Sequence, residues 1–270
     1  MKISGKLNKK PVTLAVTIET ERPLKIYLKV YDKDYPLSVY TNRYATINGT
    51  ETFYVRMPLA PENAVIEVTR EKNIANNQNG FKVVDLKKVP LKRKLSAFNS
   101  ANPVIKRFIQ FCEEFCQKAS YLSAKGSVYT SNDGNFRVDY LDDIIGDGGR
   151  TLNTPARINK NSAIIQVSKK KFLQYTIPER MAILLHEFSH YYLNDDISNE
   201  TEADLNALLI YLGLGYPRID AYNVFTKVFE SSDNEANIER MKLIDEFIRN
   251  FEKQYVDMTY DKNSLYNNYI

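Results

Sequence analysis

The sequence predicts an α+β protein in two parts, an N-terminal β-sandwich domain over 1–91 and a C-terminal α+β domain over 103–255. Two patterns and one motif carry this. Up to Leu91 short apolar stretches alternate with period 2 between turn residues. After Pro103 the periodicity becomes helical, with capping residues at the starts of the runs. Within the second part, Leu184-Leu185-His186-Glu187-Phe188-Ser189-His190 holds the only 2 histidines of the chain, four residues apart around a glutamate.

In the first part, Val12–Ile18, Leu24–Tyr31, Tyr35–Thr41, Tyr44–Asn48, Phe53–Met57, Ala64–Thr69 and Phe81–Leu86 read as strands. Asp32-Lys33-Asp34, Asn48-Gly49 and Asn79-Gly80 read as turns between them. About seven short strands at this spacing suit a sandwich of immunoglobulin-like size. Such a module carries no visible chemistry, and its edges suit pairing with a protein partner. Lys87 to Lys94 is a basic run with a proline, and with polar 96–102 it reads as a connector, bounded here as 92–102.

Pro103 to Leu122 reads as a helix whose stripe contains Ile105, Phe108, Ile109, Cys112, Phe115 and Cys116, so the two cysteines are expected as core thiols. Asn132-Asp133-Gly134-Asn135 between Val128–Thr130 and Phe136–Tyr140 predicts a hairpin. Ser162–Ser168 reads as a strand placed just before the histidine helix, and Lys169-Lys170-Lys171 follows it. Asp142, Asp143 and Asp147 among glycines do not have the spacing of a calcium loop. Thr176, Pro178 and Glu179 form a capping-box pattern that opens the histidine helix, and Asn194-Asp195-Asp196 ends it. Ser198 or Asn199 caps the next helix, which runs through Tyr211. Beyond Gly213–Pro217, Ile219–Phe229 and Glu235–Tyr255 read as two more amphipathic helices, the latter with Ile238, Met241, Ile244, Phe247, Ile248 and Phe251 on its stripe. A polar, tyrosine-rich arm occupies 256–270.

On a helix, residues four apart share a face, so His186 and His190 can point at one ion while Glu187 stands beside it. Imidazole is a good zinc ligand, and a catalytic zinc site takes three protein ligands. Glu200 and Asp204 are again four apart, so one carboxylate can complete the shell while the other accepts from a ligand histidine. Glu202 is the alternative third ligand, two residues from Glu200. Zinc is the expected cofactor, and manganese or iron would accept the same donors.

With HExxH at 186–190 and Glu200-Thr201-Glu202-Ala203-Asp204 on the following helix, the sequence resembles the gluzincin metallopeptidases. The likeness covers roughly residues 150 to 230. It implies a zincin-like fold, with His186, His190 and Glu200 as metal ligands, Glu187 as general base and Asp204 behind the ligands. The implied activity is zinc-dependent hydrolysis of peptide bonds in a protein partner, and a strand before the helix would edge the cleft. The oxyanion stabiliser would be a tyrosine, lysine or arginine, with Tyr191, Tyr192, Tyr211, Tyr216 and Arg218 nearest in sequence. The Tyr/Asn/Lys-rich composition with a small all-β adaptor also loosely resembles virion-associated proteins of tailed bacteriophages. That likeness implies the alternative, a neck or tail assembly protein keeping a zinc-peptidase fold.

A hydrophobic fraction of 43% and a charged fraction of 26% are those of an ordinary globular chain, and a net charge of +4 does not indicate nucleic acid. Cys 2 is too few for a disulfide framework, and no apolar run approaches a membrane span. The expected setting is therefore cytoplasmic, or the virion on the phage reading. The expected partner is a protein substrate or assembly partner at the sandwich, with no membrane and no nucleic acid. A homo-oligomer is left open.

Overall fold

The computed structural model describes residues 1–70, 80–91, 102–227 and 235–254. The chain divides into two compact units, Met1–Arg93 and Lys94–Ile270. The expected connector over 92–102, apart from Asn102, and the expected arm over 256–270 lie outside the described residues.

The first unit is an antiparallel sheet of five strands, β1 (Lys2–Lys6), β2 (Val12–Asp32), β3 (Val39–Met57), β4 (Asn63–Arg70) and β5 (Phe81–Pro90). The expectation of about seven short strands in an immunoglobulin-like sandwich is corrected here. Val12–Ile18 and Leu24–Tyr31 are two halves of β2, and the segments from Val39 to Met57 are one strand. Asn48-Gly49 is not a hairpin turn. Gly49 lies at φ 82° opposite Thr20, where the β2–β3 register slips between Thr20 and Leu24. A glycine in the left-handed region lets the ribbon bulge and bend without ending.

Along one edge of β2, β5 pairs with its first half and β4 with its second, while β3 follows the other edge throughout. Val16 and Ile18 in the first half, and Val30 with the facing pairs Leu24–Ile47 and Leu28–Val68 in the second, are buried. The turn expected at Asp32 is present, its carboxylate accepting from the amides of Asp34 and Tyr35 at 2.8 and 3.3 Å. Lys87 to Pro90, expected as the start of the connector, belongs to β5. Its cations are engaged within the unit, Lys87 with Asp85 at 2.7 Å and Lys88 with the Lys6 carbonyl at 2.9 Å.

The second unit combines six helices, among the described residues, with a four-stranded sheet. The strands are β6 (Ser127–Thr130), β7 (Arg137–Leu141), β8 (Ala156–Ile158) and β9 (Ile165–Ser168), in the order β6-β7-β9-β8. The β6–β7 hairpin turns at Gly134, φ 72°, as its sequence predicts. β7 and β9 are parallel, and β8 lies antiparallel at the edge. The strand foreseen over Ser162–Ser168 is thus an inner strand. The edge is held by three-residue β8, whose shortness and preceding Pro155 hid it.

The helices are α1 (Pro103–Lys118), α2 (Lys169–Phe172), α3 (Ile177–Tyr192), α4 (Glu200–Gly213), α5 (Arg218–Lys227) and α6 (Glu235–Gln254). α3 is the centre of this unit, with Ile177 to His190 buried apart from Glu179. Its outer face is an aromatic stack in which Phe188 lies 3.9 Å from Phe108 of α1 and 4.6 Å from Tyr192, with Phe136 edge-on. Cys112 and Cys116 are fully buried in α1, and burial pushes both thiols up. Fully buried Arg180 donates to the carbonyls of Phe172 and Cys116 at 3.2 and 3.3 Å, satisfying helix-end acceptors of α2 and α1. On α6 the buried side is Ile244, Phe247, Ile248 and Phe251, while Ile238, expected on that stripe, is exposed. Among the described residues no helix is long and apolar enough to cross a membrane.

Candidate metal centre

Local sequence sets the two helices that carry the centre. Thr176 caps α3 through the Glu179 amide at 3.4 Å, while Glu179 returns a carboxylate oxygen to the Thr176 amide at 2.8 Å. Asn199 caps α4 by accepting from the Glu202 amide at 3.0 Å. The loop between is held by Asn194, which donates to the Asn199 carbonyl at 2.7 Å and accepts from Asn206 at 3.2 Å. Glu202 accepts from the Asp195 amide at 2.8 Å. That bond decides between the two candidate ligands: Glu202 is turned into the loop, and Glu200 faces the histidines.

α3 and α4 meet with His186 opposite Asp204 and His190 opposite Glu200, the register of an antiparallel pair. His186 Nδ1 lies 2.8 Å from Asp204 Oδ1, and His190 Nδ1 lies 3.0 Å from the Ile197 carbonyl oxygen. His190 Nδ1 is thus hydrogen-bonded to a carbonyl and His186 Nδ1 sits in close ion-pair contact with a carboxylate, and both Nε2 atoms are left on the inner side. There they stand 3.1 Å apart, with Glu200 oxygens at 3.4 Å from His186 Nε2 and 3.5 Å from His190 Nε2. Two inward lone pairs and a carboxylate at these separations suit a shared cation. Tetrahedral zinc with bonds of about 2.0–2.2 Å has ligand–ligand edges of about 3.3–3.6 Å. His186, His190 and Glu200 form the one group of three such donors found among the described residues.

Electrostatics follow from the burial. His186 is pulled down by desolvation, but Asp204 first and Glu200 next outweigh it and hold the imidazole up at about 9. Burial would raise Glu200, and the two histidines overcome this and keep its carboxyl well below the usual range. Glu187 is buried and pushed upward by that burial, with His186, His190 and the Ile158 amide opposing. Its Oε2 accepts from the Ile158 amide at 2.7 Å, so edge strand β8 anchors the carboxylate directly.

Sequence reasoning missed two contributors. Ile158 acts through its backbone, which no side-chain motif can signal. Arg240 of α6 bonds Asp204 through Nε and lies 3.5 Å from Glu200 Oε2 through Nη2. It comes from a helix 36 residues beyond Asp204 in the chain, and an amphipathic stripe gave no sign of it. Of the expected oxyanion candidates, Tyr192 donates to the Asn135 carbonyl at 3.4 Å and Tyr211 to the Pro217 carbonyl at 3.3 Å. Tyr216 is buried in a stack on Tyr211 at 4.9 Å. Lys169 and Lys171, which follow β9, donate to the Leu122 carbonyl and to Asn153.

No protein-family model matches the chain, and no solved structure matches it. A protein of Methylophilus leisingeri, described as an uncharacterized protein in dcmA 3'region, is 29% identical over 111 residues, which is 40% of this chain. The match spans 47% of that protein, so the chain covers about half of its length.

Proposed function

We propose that this protein is a zinc-dependent peptidase of gluzincin type, its second unit a zincin-like domain acting on a protein substrate. The observation that supports it best is the pair of oriented histidines. One Nδ1 lies against the Asp204 carboxylate and the other bonds the Ile197 carbonyl, and both Nε2 atoms converge with Glu200 on one point. A structural pair of core histidines needs no such convergence.

Held by His186, His190 and Glu200, a divalent cation would supply Lewis acidity towards a carbonyl and a water. Glu187 is the residue suited to take the proton of the attacking water and pass it to the leaving nitrogen. Its upward-shifted carboxyl brings it nearer neutral pH, where a carboxylate is the stronger base. With Oε2 committed to the Ile158 amide, Oε1 is the oxygen left for the proton. Asp204 and the Ile197 carbonyl keep the rings in the Nε2-ligating tautomer.

The test is metal content followed by a substrate screen. About one zinc per chain in the purified protein, lost in His190→Ala and in Glu200→Ala, supports the site. Cleavage of a denatured-protein or peptide mixture by the wild type, absent in Glu187→Gln, supports the activity. A folded wild type that takes up no divalent metal overturns the reading. Metal uptake with any biological effect intact in Glu187→Gln moves the function to assembly, where only the fold is needed.

A further inference from the structure

Arg240 stands apart from the motif residues because it joins two of them from a third helix. Its Nε bonds Asp204 Oδ2, and its Nη2 lies 3.5 Å from Glu200 Oε2. Asp204 is fully buried, with Oδ1 in ion-pair contact with His186 at 2.8 Å, and Arg240 bonds the aspartate's other oxygen. Glu200 and Asp204 lie four residues apart on one face of α4, and a planar guanidinium spans such a pair in a way that an ammonium does not. One turn further along α6, Ile244 begins the buried apolar side by which that helix docks. The arginine is therefore delivered by packed structure rather than by a free side chain.

Charge supplies the second argument. Glu200 and Asp204 lie within 3.5 Å of the imidazoles, and the Glu187 carboxylate, next to His186 in the chain, interacts electrostatically with both. A divalent cation alone leaves the cluster one negative charge in excess, and Arg240 removes that excess. In a buried setting an uncompensated carboxylate is costly, so the cation opposite it is part of what lets the cluster persist.

We propose that Arg240 is a positioning residue of the metal centre: it fixes Asp204 behind His186 and holds Glu200 towards the two Nε2 atoms, making α6 a structural part of the site. This rests on the metal-site reading given above. The consequence is that metal affinity depends on a residue that does not touch the ion, and that the Arg fork is needed rather than positive charge alone.

The test is zinc affinity by competition with a chromogenic chelator, on full-length wild type, Arg240→Gln, Arg240→Lys and Arg249→Gln. Arg249 lies on the same helix, exposed and paired with Asp245 at 2.8 Å, and serves as the control. Arg240→Gln is expected to bind about 10–100-fold more weakly, the usual cost of losing a partner behind the ligands. Arg240→Lys should recover only part of this, and Arg249→Gln should match wild type. Cobalt substitution gives an independent reading, since a displaced Glu200 alters the intensity of the visible bands. If Arg240→Gln merely lowers the melting temperature while its folded protein binds zinc and cobalt as wild type does, the proposal is overturned and the metal-site reading stands. If the wild type binds no zinc at all, both fall.

Discussion

With zinc stripped by a chelator, raising the pH from 6.5 to 9 should destabilise the second unit, and His186 sets the size of the effect. Its imidazole is held up at about 9 in the folded chain, against 6.5 for a free histidine, because Asp204 and Glu200 outweigh its burial. A group whose folded value is raised stabilises the fold fully below its unfolded value and loses that contribution as pH rises through the folded one. The window is therefore about pH 6.5 to 9, and a difference of that size is worth about 3–4 kcal/mol at about 1.4 kcal/mol per pH unit. Glu187, raised by burial, acts in the same sense, whereas Glu200 is lowered and loses its contribution only in acid. Urea unfolding followed at 222 nm reads the right unit, because every helix among the described residues lies in it. The slope should flatten in His186→Gln. With saturating zinc the fall should disappear and stability become nearly level, because the ligand must be neutral: affinity rises up to about tenfold per pH unit as one proton is displaced, which offsets the loss. Metal-free stability that is level or increasing from pH 6.5 to 9 would refute the ion-paired arrangement of His186, Asp204 and Glu200.

Four substitutions probe the rest. Glu187→Gln should lower peptide hydrolysis by about 10²–10⁴-fold while leaving zinc affinity within a few-fold, read by turnover and chelator competition on the same sample. Glu202→Ala should leave zinc affinity near wild type and reduce urea stability by about 1–2 kcal/mol, since it unpairs the Asp195 amide in the α3–α4 loop; a large loss of zinc would make Glu202 the ligand. Thr176→Ala should cost about 1 kcal/mol through the lost capping box, with no change in metal binding. Ile158→Pro removes the amide that holds Glu187, and a bond to a charged group of about 1.5–3 kcal/mol predicts about a 10–100-fold lower kcat with metal retained. Unchanged kcat in that variant would mean that Glu187 needs no anchor.

The residues brought together at the centre were legible where a helical repeat carried them. His186 with His190, and Glu200 with Asp204, are each four apart, and spacing on a helix is spacing in space. The preference for Glu200 over Glu202 was legible only through Asp204 four residues on, and the loop amide of Asp195 that captures Glu202 was not. Ile158 and Arg240 were invisible for different reasons, one acting by its amide and the other arriving from a remote helix. In the first unit the apolar alternation marked the courses of β2 to β5 but missed β1 and took Tyr35 to Ser38, a turn, for the start of a strand, and Asn48-Gly49 has two physical meanings. The same left-handed glycine that closes a hairpin also lets a long strand bulge, and only the pairing of Thr20 with Gly49 distinguishes them. Strand β8 was lost because three residues are too few to show any period.

The chain spends both of its 2 imidazoles at one place. In a nitrogen-15 labelled sample the ring region of a long-range proton–nitrogen correlation therefore contains signals from this centre and from nowhere else. Their shifts separate protonated from bare ring nitrogens without any mutagenesis. Nδ1 of both rings should appear protonated, opposite Asp204 and the Ile197 carbonyl, before and after zinc is added, and only the Nε2 resonances should move on titration. Each ring acts as its own reference for the other, so loading of the site, tautomer and pH response can be followed on the unmodified protein in a single spectrum.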